Sequence, residues 1–163
     1  MTEHSAHSFL LADEAATLAL GRRLGHAAVA PGLVVYLEGD LGAGKSTLAR
    51  GWLAGMGHGG RVKSPTYTLL EPYSLPGGRE LAHLDLYRLS DPEELEFLGL
   101  RELSDPGHWL LIEWPEKGAG HLPAADLEIR FGFPAGGGRQ VEIRGCTSRG
   151  AAWLGDNVGA LRE

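Results

Sequence analysis

Cysteine is almost missing from this chain. Cys146 is the only one in 163 residues, so no disulfide can close within it, and a reducing, cytoplasmic setting is expected. Lysine is scarce too: Lys45, Lys63 and Lys117 stand against twelve arginines, which makes each lysine a position to inspect. Long apolar runs are absent. The longest, Leu33 to Leu37, has five residues, far short of the roughly 20 that span a bilayer, and Met1 to Ser8 lacks the charged-then-apolar order of a secretory signal. No membrane partner is expected. Basic clusters are also missing, with Arg22-Arg23 the one adjacent pair, a net charge of −6 and a pI near 5.6. That balance argues against DNA binding and against a stand-alone nucleic-acid binder.

What is present fits one ordinary domain, residues 1–163. Apolar residues make up 43% and charged residues 22%, a normal globular balance. Glycine is abundant at 25 residues, so turns, caps and close backbone approaches are expected to use it. Asp13 to Ala28 has the leucine spacing of an amphipathic helix with acids in its first turn. Leu33 to Leu37 (LVVYL) reads as a strand buried on both faces, and Lys45 to Met56 as a helix. Pro65 to Leu70, Leu81 to Leu86 and Trp109 to Glu113 read as further strands. Asp91-Pro92 opens a short acidic helix through Phe97, with Asp91 as its cap. Leu127 to Phe133 and Gln140 to Arg144 alternate like antiparallel strands joined by the loop 134–139, and Ser148 to Leu161 closes the chain as a helix. The order predicts an α/β fold: a three-layer sandwich of the phosphate-loop NTPase type, with a parallel core and an antiparallel extension at one end.

One motif dominates. Gly39-Asp40-Leu41-Gly42-Ala43-Gly44-Lys45-Ser46 fits G-x-x-x-x-G-K-[ST], directly after the LVVYL strand and directly before a helical segment. Glycines let the backbone curl until several N–H groups face a phosphate, and the helix N-terminus behind adds positive potential. Lys45 can reach the β- and γ-phosphates, and the Ser46 hydroxyl can ligate Mg²⁺. Such a loop also needs a carboxylate at a neighbouring strand end. Asp85 ends one apolar run and Glu113 another, and either can serve. His83, Asp85 and Tyr87, two apart, share one face of a strand; His83 reads first as a packed or hydrogen-bonded residue. The guanine-reading Asn-Lys-x-Asp pattern is missing, because the single asparagine, Asn157, precedes Val158. Adenine nucleotide is therefore favoured.

These segments together resemble a known family. GDLGAGKS at Gly39–Ser46, SPTYTLLEPY at Ser64–Tyr73, HLDLYRL at His83–Leu89, DPEELEFLGLRE at Asp91–Glu102 and IEWPEKGAGHLP at Ile112–Pro123 are similar, in order and spacing, to the TsaE family. These are small bacterial ATPases needed for threonylcarbamoyladenosine modification of tRNA, and the likeness runs from about Phe9 to Arg144. The resemblance implies an ATP/ADP site with Mg²⁺. Its nucleotide contacts would be Asp40, Leu41, Gly42, Ala43, Gly44, Lys45, Ser46 and Thr47 of the loop, with Thr66 as a switch-like sensor, Trp114 nearby and Glu14 towards the adenosine. Ser46, where the family usually has Thr, and Glu113 would ligate the metal. Lys45, Asp85 and Glu113 would form the catalytic set, with Asp85 orienting water or the metal's outer ligands. TsaD and TsaB would be the partners, tRNA being reached through them, and hydrolysis would reset their complex between turnovers. The four acids within Asp91–Glu96 form a solvated helix start or a docking edge for a basic surface. Two other readings remain open: a small-molecule kinase, with Arg88 and Arg101 as candidate lid arginines, and a nucleotide-gated scaffold.

Overall fold

The structure, a computed structural model, describes residues 6–29, 31–103 and 107–162, apart from the side chains of Arg101 and Glu102. Seven strands, β1 (Ala6–Leu11), β2 (Val34–Glu38), β3 (Leu70–Leu75), β4 (Arg79–Asp85), β5 (His108–Glu113), β6 (Leu127–Gly132) and β7 (Arg139–Gly145), form one sheet in the order β1-β7-β6-β2-β5-β4-β3. The central four, β6, β2, β5 and β4, run parallel. Antiparallel strands flank them on both sides, β7 then β1 at one edge and β3 at the other. Of the two late strands expected to form the antiparallel extension, β6 instead joins the parallel core; the extension is β7 with β1, and a second one, β3, lies at the opposite edge.

Helices α1 (Glu14–Ala27), α2 (Lys45–Gly55) and α4 (Ser148–Leu161) cover one face of the sheet. The opposite face is covered over β4, β5 and β2 by a capped 3₁₀ turn at Pro92–Leu98, the short helix α3 (Leu100–Leu103) and a second 3₁₀ turn at Pro115–Gly118. This explains the sequence texture. β2 and β5 are buried on both sides, so they read as unbroken apolar runs, whereas β6 and β7 alternate because one of their faces is polar. Trp52 of α2, Trp109 of β5 and Trp153 of α4 link the helical layer to the sheet, with ring centroids 5.6 and 5.8 Å apart in succession.

The high glycine content has a packing cause between α1 and α2. A Cβ on Gly25 would lie 1.9 Å from the Trp52 carbonyl oxygen, and one on Gly55 2.1 Å from that of Arg22. The two backbones touch there, which fixes α2, and with it the loop at its N-terminus, against α1. Asp126, just before β6 and only 4% exposed, holds the other end of the central strands. It accepts from the Val34 N–H at 2.9 Å, from the Thr147 hydroxyl at 2.7 Å and from Arg149 at 2.8 and 3.0 Å.

Two sequence expectations are corrected. Pro65 to Thr68 form turns rather than a strand; Leu69 then takes a left-handed backbone (φ 66°), and the strand starts at Leu70. Pro72 is accepted within β3 because β3 is an edge strand. The acidic segment is helical as expected but 3₁₀, with Asp91 accepting from the Glu93 N–H at 3.0 Å and Glu94 reaching back to the Asp91 N–H at 3.4 Å. Among the described residues no helix is long and apolar enough to cross a membrane.

Candidate functional site

The parallel strands β2, β5 and β4 end at the same edge of the sheet, where α/β folds gather ligands. Three chain reversals leave it. β2 runs into the loop Gly39–Gly44, β4 ends on Asp85, and β5 ends on Glu113, the register partner of Asp85. In the loop, Gly42 (φ 80°) and Gly44 (φ 113°) take the left-handed backbone that turns successive N–H groups to one side, and Gly44 is the N-cap of α2. Lys45 begins that helix. It is 5% exposed, and its ammonium donates to the Gly39 carbonyl and, at 3.5 Å, to the Asp40 carbonyl.

Ser46 and Glu113 meet below the loop. The Ser46 hydroxyl donates to the Glu113 carboxylate at 3.0 Å (Oε1) and 3.3 Å (Oε2). The His83 ring lies on the far side of that carboxylate, with Nε2 2.6 Å from Oε2. Trp114 follows with a left-handed backbone (φ 58°, ψ 50°), a conformation that costs a non-glycine residue about 1–3 kcal/mol. The kink brings its indole to 3.7 Å from the Lys45 ammonium and 4.9 Å from the Tyr87 ring.

Burial shapes the electrostatics. Desolvation lowers the Lys45 pKa, against the pull of the Glu113, Glu116, Asp85 and Asp40 charges. Desolvation also raises that of Asp85, and the charge of Glu113 adds to this, while the Tyr87 N–H at 3.1 Å works the other way. One ammonium and two carboxylates thus share a desolvated pocket. Such a place offers oxygen donors that could hold a cation and a positive charge that could hold an anion.

The cavity at this edge has a volume near 450 Å³. It is lined by Leu41, Gly42, Ala43, Gly44, Lys45, Ser46, Thr47, Thr66, Asp85, Glu113 and Trp114, all expected at the site from the sequence, and by Tyr87, expected on the face of Asp85, and Arg88, a candidate lid arginine. Thr66 lies in the turn before β3, its hydroxyl 2.6 Å from that of Ser64. Asp40 is not in the lining of this cavity; its carbonyl accepts from the Ala43 N–H at 3.1 Å and from Lys45. Glu14 lines a second cavity of about 340 Å³ across the loop, with Asp13, Thr17, Gly42 to Gly44, Thr47, Gly138 and Arg139, and pairs with Arg50 at 3.2 Å. Sequence reasoning missed Arg139. Its guanidinium stacks on Phe133 and donates to the Gly42 carbonyl at 3.4 Å, a bond across 97 residues of chain that no local pattern signals. Arg88 rests 4.8 Å over the Tyr67 ring, and the side chain of Arg101 lies outside the described residues.

The family model for Threonylcarbamoyl adenosine biosynthesis protein TsaE matches residues 11–141. The chain belongs to the TsaE family. Similar relatives within it all carry the name tRNA threonylcarbamoyladenosine biosynthesis protein TsaE. The Nostoc protein is 39% identical over 152 residues, 88% of either chain. The Streptomyces coelicolor protein is 39% identical over 147 residues, 87% of this chain and 97% of that one. The Haemophilus influenzae protein is 50% identical over 101 residues, a match that spans 62% of this chain and 63% of that protein's length. Among solved structures, Bacillus subtilis YdiB superposes with a TM-score of 0.78 at 26% identity, covering 98% of each chain. Membership of the TsaE family ties the chain to tRNA threonylcarbamoyladenosine biosynthesis.

Proposed function

We propose that this member of the TsaE family is a Mg²⁺-dependent ATPase that serves threonylcarbamoyladenosine formation together with TsaD and TsaB. The observation that carries the proposal is the meeting of Ser46 and Glu113 at 3.0 Å directly beneath a glycine loop that presents Lys45. A hydroxyl and a carboxylate are hard oxygen donors, and Mg²⁺ takes few protein ligands and completes its shell with water and phosphate, so this pair suits it. Bound Mg²⁺ would neutralise charge on the β- and γ-phosphate oxygens.

The chain's own groups do the rest. Amides of the loop and the N-terminus of α2 hold the phosphates. Lys45 exchanges its two carbonyl partners for phosphate oxygens. Asp85, beside Glu113 in register, orients the attacking water through its carboxylate. Trp114, braced on Tyr87, closes one wall and excludes bulk water. Across the loop, the cavity lined by Glu14, Thr47 and Arg139 takes the nucleoside.

Among the described residues no clustered arginines line the first cavity, and Arg88 rests on Tyr67. Positioning without such a charge predicts slow turnover, and charge supplied by a partner is worth about 10³–10⁵ in rate. The acidic 3₁₀ turn, with Glu93, Glu94 and Glu96 exposed, suits docking against a basic protein surface. Steady-state ATP hydrolysis by the chain alone, and with TsaD and TsaB added, tests the proposal. Slow hydrolysis that rises with the partners is expected; identical rates would refute partner dependence. Ser46→Ala should bind ATP yet stop tRNA modification, and persistent modification would favour a scaffold role instead.

A further inference from the structure

We infer that His83 is a positioning residue that fixes the Glu113 carboxylate for the metal. The inference rests on the Mg²⁺ site proposed above. His83 lies in β4 opposite Leu111 of the parallel neighbour β5, so its ring reaches along the sheet face to Glu113 two residues on. Both side chains are 3% exposed. A carboxylate accepts only, so Nε2 carries the hydrogen and donates to Oε2 at 2.6 Å.

That bond does two things. It stops the carboxylate from rotating about its terminal torsion, which is otherwise soft. It also makes the two oxygens unequal: Oε2 is engaged by His83, and Oε1 is the one nearer the Ser46 hydroxyl, at 3.0 against 3.3 Å. Oε1 is therefore the oxygen presented beneath the loop. Nothing else described holds Glu113 in this way. Its other side-chain partner is Ser46, which would itself turn to the metal.

Plain packing does not account for a histidine here. Its Nδ1 is buried and has no hydrogen-bond partner among the described residues, so the ring's single polar contact is the one to Glu113. Leu81, Trp109 and Leu111 are buried apolar residues on the same face, and an apolar side chain would suit that packing better. Carboxylates that bind a metal are themselves commonly held by an outer hydrogen bond, the role the ring N–H of His83 fills here.

The test uses the full chain and Mn²⁺, read by electron paramagnetic resonance, as the probe metal. Mn²⁺ is titrated into the ADP complex, and ADP affinity is measured separately in EDTA. His83→Leu should weaken Mn²⁺ binding by about 10- to 100-fold, the usual effect of losing such a partner, with ADP affinity in EDTA unchanged. His83→Gln, whose amide reaches as far as Nε2, should restore most of it; His83→Asn, which falls short, should not. The Gln and Asn pair decides the matter even if the Leu variant folds poorly. Wild-type Mn²⁺ affinity in the Leu or Asn variant, or equal loss in Gln and Asn, overturns the inference alone. A wild-type ADP complex that holds no Mn²⁺ overturns the metal site as well.

Discussion

Lys45→Met keeps most of the aliphatic stem and removes the ammonium, and its effect on nucleotide affinity can be worked from the site. A unit charge about 4 Å from a phosphate charge, at the effective permittivity near 20 of a partly buried site, is worth about 4 kcal/mol. The ammonium gives up the Gly39 and Asp40 carbonyls to reach the phosphate, and each such hydrogen bond nets about 0.5–1.5 kcal/mol. Burial in the folded chain has already stripped much of its water, as its lowered pKa indicates, so little further desolvation opposes binding. The balance is about 1–3 kcal/mol, or about 5- to 150-fold in Kd. Because the ammonium can reach the β- and γ-phosphates, ATP should lose more than ADP. Isothermal calorimetry with Mg²⁺-ADP and Mg²⁺-ATP at fixed salt reads the effect, with a thermal melt as control for folding. An ADP affinity within about threefold of the unsubstituted chain would mean that the charge does no binding there.

Two further outcomes follow from the frame around the loop. Asp126→Ala leaves the buried Val34 N–H and the Arg149 guanidinium without their acceptor, so urea unfolding at pH 7 should show a loss of about 2–4 kcal/mol. Burial alone would raise the Asp126 pKa, but bonds from Arg149, the Val34 N–H and Thr147 outweigh it and hold it below the ordinary 3.8. Stability from a depressed carboxyl is complete above the unfolded value and drains away as pH falls through the folded one. The gap between variant and unsubstituted chain should therefore narrow on acidification below pH 3.8, and a gap independent of pH would contradict the assignment. Gly25→Ala puts a methyl 1.9 Å from the Trp52 carbonyl oxygen, which the backbones of α1 and α2 cannot absorb without separating. A loss of about 1–3 kcal/mol is expected by thermal or urea unfolding, and an unchanged melting temperature would mean that the helices do not touch there.

The loop and its flanking elements were legible because local chemistry specifies them. Glycine spacing, one lysine and one hydroxyl sit between an unbroken apolar strand and a helix, and Asp85 and Glu113 stand where β4 and β5 run out of apolar residues. The cap Asp91 was equally local, whereas Asp13, read as part of the first turn, is the N-cap of a helix that starts at Glu14. What escaped the sequence depends on distant partners. β1 is a strand because β7, over 120 residues later, pairs with it from Ala6↔Arg144 to Leu11↔Arg139. The segment 65–70 carries β-forming residues, yet Leu69 turns left-handed and the strand is displaced to the edge position beside β4. The left-handed Trp114 sets its indole against Lys45 and Tyr87, partners that no local pattern assigns to it. Arg139 reaches the loop only because β7 lies two strands from β2. The His83–Glu113 bond needs β4 and β5 to be parallel neighbours in one register, which no spacing within either strand reveals.

Calorimetric titration of the purified chain with ATP and with ADP, each with Mg²⁺, is the decisive measurement, because every role above depends on the Gly39–Ser46 loop holding a polyphosphate. One saturable site, weakened in Lys45→Met, is the predicted result. No heat of binding at millimolar nucleotide would contradict it.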